Sequence, residues 1–195
     1  MADPDTTLTD FALAALCAGF ALALLGAGGV GALYGGLFAA LGVAALAGTL
    51  WHGWWPGVQS GLGGALWRTV MLSVGGANLF LWLIAARIAA QPWLGWIGWG
   101  QLVVYILAAL WLTRSFILPS AFSLPPTLVL LALFLCTPSA PGYALGAAAL
   151  GIALIGAGLQ AAKVGFGALR LGPNGLYHAI QALAFTLLFA GLPGS

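Results

Sequence analysis

The chain has 195 residues, of which 63% are hydrophobic and 4% charged; five Lys or Arg stand against three Asp or Glu, for a net charge of +2, and the mean hydropathy is +1.10. An ordinary globular domain carries roughly 25% charged residues, so this composition excludes a water-facing surface, and most outward side chains are expected to meet lipid. So small and scattered a charge points to no nucleic-acid partner.

All three acidic residues lie within the first ten positions, which hold no Lys or Arg. That is the wrong sign for the start of a secretory signal, and Cys17 follows Leu16 rather than a small residue, so the first helix is expected to be retained. A membrane-crossing helix needs roughly 20 mostly apolar residues. Seven stretches qualify, near 8–25, 30–51, 65–86, 93–112, 116–137, 142–162 and 174–192. Together they use about 140 residues and leave about 55 for tails and connections, so the reading is an all-α integral membrane protein: one transmembrane domain, 1–195, in a seven-helix bundle.

In the first stretch Thr6, Asp10 and Cys17 share a face, and in the second Gly31 and Gly35 have the spacing that lets helices approach closely. Trp51, Trp54, Trp55 and Trp67 around the next connection suit an interfacial belt. Asn78, mid-way along the third stretch, is expected to make a packing hydrogen bond. Pro119, Pro125 and Pro126 should kink the fifth stretch or delay its start. Gly142 and Gly146 repeat the close-approach spacing in the sixth, which Gln160 and Lys163 are expected to end by reaching the headgroups. Cys17 and Cys136 read as small hydrophobes without a disulfide. Arg68, Arg114, Lys163 and Arg170 fall beside the connections after helices two, four and six, with Arg87 alone opposite, which predicts a cytoplasmic N-terminus and an external C-terminus.

Polar groups inside such spans must find partners in the bundle. Asn174, His178 and Gln181 form one stripe at the start of the seventh stretch, and Thr49 and His52 share a face at the end of the second. In any alternating seven-helix arrangement, the start of helix one, the end of helix two and the start of helix seven lie on one side. Asp10, His52 and His178 are therefore expected at similar depth, able to share one polar pocket with Thr49, Asn174 and Gln181. Each also has a structural explanation: Asp10 as a capping residue with Thr7, His52 as an interfacial donor, and the His178 stripe as interhelical glue.

At these residues the chain resembles the seven-helix superfamily of alkaline ceramidases and progestin and adipoQ receptors, and related uncharacterised bacterial seven-helix families. The superfamily carries a serine four residues before a histidine in helix two, an aspartate soon after, and a His-x-x-x-His pair in helix seven. Here His52 matches the first histidine, with Gly48 four before it and Thr49 next to that position. His178 matches one of the pair, the other falling on Asn174 or Ala182, and Asp10 would have to supply the acid. The resemblance implies an enzyme of a bacterial inner membrane, with zinc or another divalent metal on His52, His178 and Asp10 activating water for lipid-amide hydrolysis. Asn174 or Gln181 would orient a lipid entering between helices. Two non-enzymic readings stay open: a transporter or sensor for a small ligand, and a cofactor binder with His52 and His178 as axial haem or chlorophyll ligands.

Overall fold

The computed structural model describes residues 2–57, 60–111 and 117–192. Seven α-helices span them: α1 (Pro4–Ala23), α2 (Gly29–Trp54), α3 (Gly61–Ile88), α4 (Pro92–Trp111), α5 (Ile117–Cys136), α6 (Tyr143–Ala161) and α7 (Pro173–Ala190). The first six are long and apolar enough to cross a membrane. The polar stripe of Asn174, His178 and Gln181 keeps α7 out of that group. Arg114, and the expected boundaries at 112 and 116, lie outside the described residues.

Proline sets several starts, because its fixed φ suits the first helical position and its missing N–H is not needed there. Pro4 opens α1 four residues ahead of the expected start, and Pro173 opens α7. The helix α2 runs through Trp54, so His52 sits within its last turn rather than beyond it.

The helix α5 continues through Pro125 and Pro126. Each proline leaves the carbonyl four residues earlier without its helical donor, and for Pro126 that carbonyl belongs to Phe122. Gln101 of α4 fills the gap: its Nε2 donates to the Phe122 oxygen at 2.8 Å, while its Oε1 accepts from Trp82 Nε1 of α3 at 3.0 Å. One carboxamide thus ties three helices together.

Packing between neighbours forms a closed ring in the order α1, α2, α3, α5, α6, α7 and back to α1, with α4 outside against α3 and α5. Large apolar side chains face outward, among them Leu8, Phe11, Trp96, Val103 and Ile117. Inside, Phe38 lies at the centre of an aromatic cluster with Phe20, Phe185 and Phe189. Glycines bring α1 and α2 close: a side-chain carbon at Gly42 would meet Cys17 at 3.3 Å, at Gly48 it would meet Asp10 at 2.6 Å, and at Gly53 Thr7 at 3.3 Å. Gly142 and Gly146 serve similarly, against the backbone of Gly191 and the ring of Phe134. Both cysteines are free.

Three cavities lie in line within the ring. A cavity of about 250 Å³ at the end holding the α1 and α7 N-termini shares Leu41, Val74 and Phe185 with a middle one of about 110 Å³. That in turn shares Leu188 with one of about 410 Å³ at the opposite end.

Candidate functional site

The three helix ends singled out from the sequence meet. The Ala2 N–H donates to the Gly53 oxygen at 3.2 Å, tying the N-terminus to the end of α2. Asp5 Oδ2 accepts from the Gly172 N–H at 2.6 Å, placing a carboxylate at the start of α7, where the helix dipole favours negative charge. Gly175 makes room for it, since a Cβ there would stand 2.7 Å from Asp5 Oδ2.

One turn or so further in, His178 Nε2 lies 3.4 Å from Asp10 Oδ1, with the side chains 12% and 7% exposed. Asp10 is the seventh residue of α1 and is therefore no helix cap. Its Oδ2 rests against Gly48; only a residue without a side chain leaves the carboxylate space there. The other imidazole nitrogen, Nδ1, is 3.4 Å from Thr9 Oγ1, whose hydroxyl donates to the Asp5 oxygen at 2.8 Å. Nε2 and Asp10 Oδ1 lie within ion-pair range, and Thr9 flanks the other ring nitrogen.

His52 also faces this cavity, but its Nδ1 is 3.8 Å from Asp3 Oδ2 rather than against Asp10. Asn174 accepts from Gln160 Nε2 at 3.2 Å, and Gln181 Nε2 donates to the Tyr177 hydroxyl at 2.9 Å. All four of those residues line the cavity, together with Trp51, Trp67 and Phe185. Asp10, His52, His178, Asn174 and Gln181 thus line one cavity. Thr49 is not part of it: its hydroxyl donates to the Ala45 oxygen of its own helix at 2.9 Å.

Two other expectations need correction. Gln160 turns inward to Asn174 rather than out to headgroups, because a neighbouring carboxamide offers it a partner. Asn78, 4% exposed, leaves its Nδ2 without a partner among the described residues instead of making a packing hydrogen bond. Tyr177 was not singled out from the sequence, although its place beside His178 on a polar stripe was the available signal.

Three protein ligands and a water are the usual set for catalytic zinc. Among the described residues no three His, Cys, Asp or Glu side chains come together as a metal site. His178 turns one nitrogen to Asp10 and the other to Thr9, while His52 turns its Nδ1 to Asp3. As placed, these side chains pair with one another rather than converge on a shared ion.

The fold and site define an all-helical bundle, six of its helices long and apolar enough to cross a membrane, closed around a cavity lined by one carboxyl, two imidazoles, three carboxamides and a phenol. The chain belongs to a family of unknown function, DUF6962, whose model matches residues 6–195. Comparison with curated proteins and with solved structures returns no match.

Proposed function

We propose that the chain is an integral membrane protein that carries a small, neutral, hydrogen-bonding solute along the axis of its helix ring. The observation behind this reading is a row of three cavities among the described residues, which begins at the polar one and in which neighbours share the apolar side chains Leu41, Val74 and Phe185, then Leu188. Arg68, Lys163 and Arg170 sit at the end where the polar cavity lies, opposite Arg87. By the positive-inside bias that end is cytoplasmic, as in a bacterial inner membrane.

The chemistry of the route favours neutral cargo. Carboxamides, imidazoles and a phenol in the polar cavity offer both donors and acceptors. The middle cavity is lined by apolar side chains with Asn78, Ser123 and Thr127 and no charged group, so an ion there would meet a steep desolvation cost. Its 110 Å³ equals the share of three or four waters in the liquid, at about 30 Å³ each. That admits solutes of glycerol or urea size.

Stopped-flow measurement of glycerol and urea entry into proteoliposomes tests the proposal. Leu41→Ala should raise flux by thinning the layer between the first two cavities, and Val74→Phe should lower it. Entry no faster than into empty liposomes, for the wild type and Leu41→Ala alike, would refute transport.

Metal-assisted lipid-amide hydrolysis is the second reading, supported by the presence of Asp10, His52 and His178 around one cavity. It requires Asp10 to leave its pairing with His178. Elemental analysis of purified wild type beside His178→Ala decides it: stoichiometric zinc, lost in the variant, would favour the enzyme over the carrier.

A further inference from the structure

The opposite end of the ring, around the last of the three cavities, holds a second set of polar groups. Arg87, in the last turn of α3, borders the 410 Å³ cavity with Tyr34 of α2 and Tyr143 of α6. No carboxylate pairs with Arg87 among the described residues, and the three acids of the chain, Asp3, Asp5 and Asp10, all lie at the other end. The end of α3 suits a cation through its dipole, but that does not account for the groups around it.

Tyr34 is 3% exposed, yet its hydroxyl has no hydrogen-bond partner among the described residues although it borders the cavity. The helix α6 begins at this cavity, with Gly142 as its N-cap and no side chain capping it. The Tyr143 N–H donates to the Ala140 oxygen at 3.2 Å, and the amides that follow it, with the positive end of the dipole, favour an anion. Gly142 admits no side chain that would cover the start, because a Cβ there would strike the Gly191 backbone.

A guanidinium, two phenol hydroxyls and the start of α6 offer donors here, and no carboxylate lines the cavity among the described residues. We infer that this cavity binds a phosphate-bearing anion, whose oxygens take the Arg87 guanidinium and the Tyr34 and Tyr143 hydroxyls. Phe134, Leu188 and Val30 on the remaining walls would accept an apolar tail. Phosphate on a lipid headgroup and free phosphate both satisfy the donors.

The test uses the full chain in detergent. Binding of phosphatidylglycerol and of diacylglycerol is followed by native mass spectrometry, and inorganic phosphate by thermal shift. Arg87→Gln should weaken phosphatidylglycerol binding at least about tenfold, as expected for loss of a charge-assisted hydrogen bond. Tyr34→Phe, which removes one oxygen and keeps the ring packing, should weaken it by a few-fold. Diacylglycerol, which lacks the phosphate, should be insensitive to both changes. A phosphate response lost in Arg87→Gln, with no such effect on the lipid, would assign the site to free phosphate. If wild type and Arg87→Gln respond alike to both phosphate probes, or bind diacylglycerol as tightly as phosphatidylglycerol, the inference fails.

Discussion

Gly48→Ala adds a single methyl group at the one place on α2 where the Asp10 carboxylate touches the backbone. The new carbon would stand 2.6 Å from Asp10 Oδ2 and 3.3 Å from its Cγ, whereas real Cβ atoms essentially never come within 3.0 Å of such an atom. At least 0.4 Å must therefore be recovered, either by turning the carboxylate or by parting α1 from α2. Turning it disturbs the 3.4 Å contact with His178. Overpacking of this kind costs about 1–3 kcal/mol, which for a chain of this size lowers the melting temperature by about 2–12 °C. The source of the cost is separable, because Asp10→Ala removes the clashing atoms. In that background Gly48→Ala should cost less than about 0.5 kcal/mol, leaving a coupling of at least about 0.5 kcal/mol in a double-mutant cycle. Thermal unfolding in detergent of the four proteins measures it. Equal losses from Gly48→Ala in both backgrounds would show that Asp10 does not occupy the space against Gly48, and the site geometry would fall with it.

Three further outcomes follow from the same contacts. Asp10→Asn keeps a polar partner for His178 Nε2, whereas Asp10→Ala removes it; the alanine variant should melt lower by about 1–3 kcal/mol equivalent, and equal melting would contradict the Asp10–His178 contact. Gln101→Leu strands both Trp82 Nε1 and the Phe122 carbonyl, at about 1–3 kcal/mol each. Combined with Pro126→Ala, which restores an intrahelical donor to Phe122, the glutamine loss should cost measurably less, and an undiminished loss in chemical or thermal unfolding would disprove the role given to that proline. Asp5→Ala removes a charge-assisted bond at the start of α7 and should destabilise by about 1.5–3 kcal/mol; faster amide exchange at residues 172–176 with the rest of α7 unchanged is the expected signature, and unaltered exchange there would exclude the contact.

Length and hydropathy were enough to read the helical class and seven helices, because each apolar run of spanning length must close its own backbone hydrogen bonds. Alternation then placed Asp10, His52 and His178 at one end of the bundle without any knowledge of neighbours, and five of the six expected pocket residues do line one cavity. Who pairs with whom could not be read from spacing. His178 takes Asp10 and Thr9, while His52 takes Asp3 and Thr49 turns to its own helix. Nor did the residues announce that α4 stands outside the ring, or that Gln101 answers the proline in α5. Periodicity places a side chain on a face of its own helix and at a depth. Which neighbour that face meets depends on helix order and rotation about the axis, set here by contacts such as Gly48 against Asp10 between residues far apart in the chain.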